Sequence, residues 1–256
     1  MTWQTLSIAL VQEASGLEPA DNRALLDKLA PRDADLVVFP EAFARDFGSA
    51  GSAVGEYAET ASGPFATELA RVADDRGATL VAGMFESSED PDRPFNTLAV
   101  RGSSTADYRK IHLYDSFGYR ESDALSGGPV RPTVVEIDGV PTGLMTCYDL
   151  RFPELTRALV DAGAELIVLP AAWVAGERKV DHWRTLVRAR AIENTVYVAA
   201  AAQPAPRYCG HSLVVDPRGD VLAEAGDGAE VITATIDRAG LEKARRLNPS
   251  LSNRRL

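Results

Sequence analysis

Cysteine is scarce in this chain: Cys147 and Cys209 are the only two in 256 residues. A fold stapled by disulfides is therefore excluded, since a chain of this length can bury a sizeable core without them, and a reduced thiol is the expectation. Histidine is nearly as rare, with three in all. None stands in an HExxH pattern and no paired-cysteine ligand spacing occurs, so neither a metal nor another cofactor is expected. Positive charge is in deficit as well. With 27 Lys and Arg against 37 Asp and Glu, the net charge is -10, which argues against nucleic acid and anionic membrane surfaces as partners. Long apolar runs are missing: the most apolar stretches, residues 166–175 and 196–202, fall short of the roughly 18 residues expected of a membrane span. The opening MTWQTLSIALVQEAS lacks the basic and long apolar segments of a secretory signal, so a cytoplasmic location is expected.

What is present reads as an ordinary globular chain, 45% hydrophobic and 25% charged. Strand and helix signals continue from end to end without a linker, predicting one domain over residues 1–256. Apolar or alternating runs predict strands over 6–12, 35–39, 79–85, 97–101, 107–110, 133–137, 143–146, 165–169, 195–201, 211–215, 221–225 and 231–236. Helical periodicity predicts helices over 21–30, 64–76, 153–162, 181–193 and 239–246. Helices alternate with apolar strands early in each half and hairpin-like strand pairs follow, which indicates α/β organisation with mixed sheets.

The two halves resemble each other. ADLVVFPEAF (residues 34–43) aligns without gaps on AELIVLPAAW (residues 164–173), and in both halves a helix, an apolar strand and a strand pair follow. Two such units usually pack their sheets face to face with helices outside. A chance match of two strand endings is the competing reading. With a true repeat, the strands ending near Pro40, Cys147 and Pro170 converge on one rim, where open α/β sheets bind ligands.

Several residues on that rim carry chemistry. Cys147, in GLMTCYDLRFPEL, sits between a strand and the helix opened by Pro153. The turn brings backbone N–H groups and a helix dipole toward sulfur, an environment expected to favour thiolate and to supply oxyanion donors. Taken alone, it is equally a small buried hydrophobe. Glu41 follows the apolar strand and Pro40; a carboxylate there is costly unless something uses it, making it a candidate general base against a surface or capping role. Lys110, in DYRKIHLYD, is a candidate oxyanion partner or a solvated strand-end lysine. Glu121, in YRESD, is by itself a loop glutamate.

Together these residues resemble the Glu-Lys-Cys triad of the nitrilase superfamily of carbon–nitrogen hydrolases. Further matches are LIVLPAAW, HWRTLVRARAIENTVYV (residues 182–198), GHSLVVDPRG (residues 210–219) and the closing LNPSLSNRR. The resemblance spans essentially the whole chain in order. It implies a four-layer α-β-β-α sandwich of two mixed sheets with an internal pseudo-twofold repeat, and a homodimer. It also implies that Glu41 is the base, Cys147 the nucleophile that forms a thioester, and Lys110 with the Tyr148 N–H the oxyanion donors. Glu121 matches the family's second glutamate, which positions substrate or water. Histidine is left out of this scheme, and His112, His182 and His211 are expected to pack or hydrogen-bond.

The residues after Cys147 depart from the tryptophan–glutamate of true nitrilases. CYDLRFPE is similar to the branch holding ω-amidase and deaminated-glutathione amidase, whose substrates are small carboxylate-bearing amides such as α-ketoglutaramate. Arg151 is the candidate for gripping that carboxylate through its planar fork, against a salt bridge to Asp149 or Glu154. Trp173 and Ala172 are candidate pocket-wall residues. Two features depart from the branch: residues 112–121 are shorter and lack a proline–glycine pair, and PAAW replaces a phenylalanine-containing version. Competing readings are an N-carbamoyl amino-acid or aliphatic amide hydrolase with the same triad, a cysteine–histidine hydrolase, and an idle homologue that only binds.

Overall fold

Strands buried on both faces read as unbroken apolar runs, and those runs build the centre of this molecule. The computed structural model describes residues 3–116 and 118–255; Phe117, in the short 112–121 segment, lies outside them. In the first half, β1 (Thr5–Gln12), α1 (Pro19–Leu29), β2 (Leu36–Val38), α2 (Pro64–Arg76), β3 (Thr79–Glu86), β4 (Phe95–Arg101) and β5 (Ala106–Arg109) follow one another. A small hairpin, β6 (Asp115–Ser116) and β7 (Tyr119–Arg120), bridges to the second half. There β8 (Val134–Ile137), β9 (Val140–Leu144), α3 (Pro153–Asp161), β10 (Leu166–Ala171), α4 (Lys179–Asn194), β11 (Tyr197–Ala202), β12 (Leu213–Val215) and β13 (Val221–Glu224) repeat the pattern. The chain closes with β14 (Glu230–Asp237) and α5 (Arg238–Leu247).

Two six-stranded mixed sheets result, ordered β14-β1-β2-β3-β4-β5 and β8-β9-β10-β11-β12-β13. In each, three central strands are parallel and the flanking ones antiparallel. The orders correspond strand for strand, so the internal repeat is a property of the fold. All twelve predicted sheet strands and all five helices form, with shifted ends. The β6–β7 hairpin has no apolar alternation to announce it. The last strand, β14, returns to the first sheet, a long-range pairing that no local pattern encodes.

Side-chain alternation assembles the layers. In β1, Leu6, Ile8 and Leu10 face the core between the sheets, while Ala9 and Val11 face the outer helices. In β10, Leu166 and Val168 enter the inter-sheet core, and Ile167, Leu169 and Ala171 lie under α3 and α4. Helix α2 starts on Pro64 and is capped by Gly77 in the left-handed conformation (φ 62°), matching the range read from its periodicity. Its Phe65, Leu69, Val72 and Ala73 cover the first sheet. The architecture is therefore helix, sheet, sheet, helix.

β2, β5, β9 and β10 carry their C-terminal ends to one rim, and Gly83 in β3 makes the first of these ends fit. Its N–H donates to Pro40 O (3.1 Å) and its carbonyl accepts from Ala44 N (2.9 Å), so the chain after β2 folds directly onto the strand. A Cβ at position 83 would stand 2.3 Å from Ala42 N and 2.7 Å from Glu41 Cα, both backbone atoms. Gly83→Ala is expected to lower unfolding free energy by about 1–3 kcal/mol in urea titration and to displace Glu41, reducing activity beyond the loss of folded protein.

Candidate active site

Glu41 lies just past β2, and its carboxylate is almost fully enclosed. Oε1 accepts from Lys110 Nζ (2.9 Å) and Asn96 Nδ2 (2.7 Å), and Oε2 accepts from Ala172 N (2.7 Å). Gln203 Nε2 donates to the Glu41 carbonyl (3.0 Å), tying the loop to the end of β11. A buried carboxylate must be matched by donors, and here the opposite sheet supplies one from the end of β10.

Lys110 follows β5, and its side chain is 2% exposed. Its Nζ donates to Glu41 and to both oxygens of Glu121 (3.2 and 2.9 Å). Burial alone would pull the ammonium down, but Glu121 and Glu41 outweigh it and hold Lys110 well above its ordinary range. Glu121 begins a 3-10 turn, Glu121–Asp123, rather than an open loop, and its Oε2 also accepts from Tyr114 N (2.6 Å). Asn96, at the start of β4, reaches Glu121 Oε1 as well (3.3 Å). Nothing in the sequence around Asn96 marks it as a partner of these carboxylates. One ammonium and one amide thus bridge two carboxylates.

Cys147 opens a five-residue 3-10 turn, Cys147–Arg151, that precedes α3. Its φ of 46° is left-handed, unusual for a side chain bearing a Cβ. Such backbone strain persists only where surrounding contacts over-determine it. Tyr148 is the second residue of this turn, where a backbone N–H has no carbonyl one turn earlier to meet. The expected bias toward thiolate is corrected by the structure. Burial pushes the Cys147 thiol well up, the charge of Glu41 adds to this, and Lys110 offsets it only in part. The turn is too short, and the anion too close, for a helix dipole to decide the outcome. Cys209 is free and buried, with its thiol pushed up to about 12 by burial.

Cys147, Glu41, Lys110 and Glu121 line one cavity of about 410 Å³. Its wall includes Tyr148, Trp173 and Arg151. Arg151 makes no ion pair with Asp149 or Glu154 among the described residues. Its Nε and Nη2 are shielded from water without an acceptor, and its guanidinium lies 4.8 Å over the Trp173 ring. Trp173 lines the cavity as expected, and its ring also packs 5.4 Å from Trp183 in the core. Ala172 borders the cavity, but its N–H is spent on Glu41. Lys179 and Arg207, which sequence reasoning did not single out, also reach the cavity. Arg207 pairs with Asp46, whose Oδ2 accepts from Tyr208 OH (2.7 Å), locking the mouth. Arg151 and Lys179 thus add positive charge to a cavity that also holds Glu41 and Glu121, in a protein of net charge -10.

No histidine lines the cavity. His112 is hydrogen-bonded to Asp149 and stacked on Phe152, and His211 meets Ala225 O and Asp227 at the surface. A cysteine–histidine arrangement is therefore contradicted by geometry.

The carbon-nitrogen hydrolase family profile matches residues 7–246. A hydrolase of Mycobacterium tuberculosis is 40% identical, covering 94% of this chain and 92% of its own. Deaminated glutathione amidase of Escherichia coli O157:H7 is 38% identical, covering 91% of this chain and 89% of its own. The solved structure of XC1258 from Xanthomonas campestris, a CN-hydrolase superfamily protein, superposes with a TM-score of 0.87 at 30% identity over 99% of this chain and 98% of that one. This chain belongs to the carbon-nitrogen hydrolase family and is a hydrolase of carbon–nitrogen bonds.

Proposed function

We propose that this protein is a thiol amidase that cleaves the terminal amide of a small carboxylate-bearing substrate through a thioester. The observation that carries the carboxylate is Arg151, a cavity-wall guanidinium whose Nε and Nη2 meet no acceptor among the described residues. A planar fork of this kind pairs both oxygens of a carboxylate. The similarity to deaminated glutathione amidase supports the same substrate class.

Cys147 enters the reaction as a thiol, so its proton must leave as sulfur attacks. Burial, with the charge of Glu41 added, keeps that proton on sulfur at rest, and Glu41 is the acceptor when attack begins. The new C–S bond turns the carbonyl oxygen into an oxyanion, which Lys110 Nζ and Tyr148 N–H stabilise; one such donor is worth on the order of 3 kcal/mol. Collapse breaks the C–N bond while Glu41 returns the proton to the departing nitrogen, and ammonia leaves. Water then attacks the thioester, with Glu41 again taking a proton, and the acid and thiol are released. Glu121 keeps Lys110 aimed through two hydrogen bonds and borders the space where that water must stand.

An N-carbamoyl amino acid would also offer Arg151 a carboxylate, so ammonia release across ω-amides, carbamoyl amino acids and aliphatic amides ranks these classes. Arg151→Ala is expected to raise KM for carboxylate-bearing amides roughly 10- to 100-fold, the worth of a charged hydrogen bond. Uncharged amides should change little, and equal effects on both would remove the assignment. The thiol makes a second expectation. The rate of Cys147 modification by methyl methanethiosulfonate should still rise above pH 9, the ordinary thiol range. Glu41→Gln removes a negative neighbour, so the rise should move to lower pH while kcat falls about 10²–10⁴-fold. A plateau near neutral pH in the unaltered protein would show a resting thiolate and leave Glu41 without its proposed task.

A further inference from the structure

Asp149 is completely buried, and the proposed chemistry gives it no part. Its carboxylate is nevertheless met from two directions. Oδ2 accepts from Thr146 N (2.8 Å) and from Tyr108 OH (2.6 Å). Oδ1 accepts from His112 N (3.1 Å) and stands 2.7 Å from His112 Nδ1. A carboxylate only accepts, so this last contact puts the imidazole proton on Nδ1. The ring lies flat on Phe152, 3.8 Å away at 8°, just past the turn that Cys147 opens.

These partners are not scattered. Thr146 and Asp149 bracket Cys147 in its left-handed conformation, and Tyr108 and His112 flank Lys110 on either side. One buried carboxylate therefore joins the segment bearing the nucleophile to the segment bearing the oxyanion cation. Neither segment is in the other's sheet: β5 edges the first, and the Cys147 turn leaves the second. On the opposite side, Arg190 Nε and Nη2 donate to Leu150 O (3.1 and 2.8 Å), so the turn is held from α4 as well.

We propose that Asp149, with His112 as its donor, is a positioning pair that sets the register between Cys147 and Lys110. The proposal rests on the assignment of those two residues as nucleophile and oxyanion donor. His112 acts through Asp149 and moves no proton to sulfur. A shift of about 1 Å between reacting groups can cost on the order of 100-fold in rate, so the effect belongs in kcat rather than KM.

His112 is the residue to vary, because its side chain is 26% exposed and the change is survivable, whereas Asp149→Ala would leave several buried donors unmet. His112→Ala should lower kcat, per titrated active site, roughly 10- to 100-fold while KM stays within about twofold. His112→Asn places an amide Nδ2 where Nδ1 was and should return kcat to within about threefold of the unaltered protein. His112→Phe keeps the stack on Phe152 without the donor and should be as slow as His112→Ala. Rescue by Phe, or one common kcat for all three variants, overturns the proposal. Cys147→Ala, run alongside, separates the two levels: turnover surviving in that variant defeats the nucleophile assignment itself. A dead Cys147→Ala with an unchanged His112→Ala defeats only the positioning role.

Discussion

The structure depends on a buried cation shared between two buried carboxylates. Removing ions from water is expensive, and their mutual attraction offsets that cost only where the geometry is good and the remaining lone pairs are satisfied. Lys110 meets both Glu41 and Glu121, Asn96 spans the same two carboxylates, and the Ala172 and Tyr114 N–H groups complete the set. Moving any one partner leaves an uncompensated charge in the interior. The cluster therefore fixes the ends of β2 and β5, the Glu121 turn and the end of β10 relative to one another.

The pseudo-twofold fold explains why such a cluster can form between two sheets. β2 and β10 are equivalent strands in equivalent sheets, and both end at the same rim. Their sequences diverge where the strands stop: VVFPEAF supplies the Glu41 carboxylate, and VLPAAW supplies the Ala172 N–H that holds it. The repeat gives the scaffold, and the difference at the strand ends gives one half the carboxylate and the other its support. The cysteine stands beside this cluster, where burial and the charge of Glu41 push its thiol up.

Much of this was legible in the sequence because it is local. Buried strands declare themselves by apolar runs, α2 by Pro64 and Gly77, and the repeat by an ungapped alignment. Family resemblance grouped Glu41, Lys110, Glu121 and Cys147, and all four line one cavity. What was not legible depends on contacts distant in sequence. Asn96 looks like any strand residue until Glu41 and Glu121 face it. The turn around Cys147 can be read locally, whereas burial and the approach of Glu41, which push its thiol up, cannot. Ala172 has no side chain to announce that its N–H serves another residue, and β14 pairs with β1 across nearly the whole chain.

The central claim is that one acyl group passes through Cys147 before reaching water. The most direct test is partitioning with hydroxylamine. A carboxylate-bearing primary amide and the methyl ester of the same acid are turned over in its presence, and the ratio of hydroxamate to free acid is measured for each. A common thioester predicts the same ratio from both donors at every hydroxylamine concentration. Ratios that follow the leaving group would contradict it and would require water to attack the amide directly.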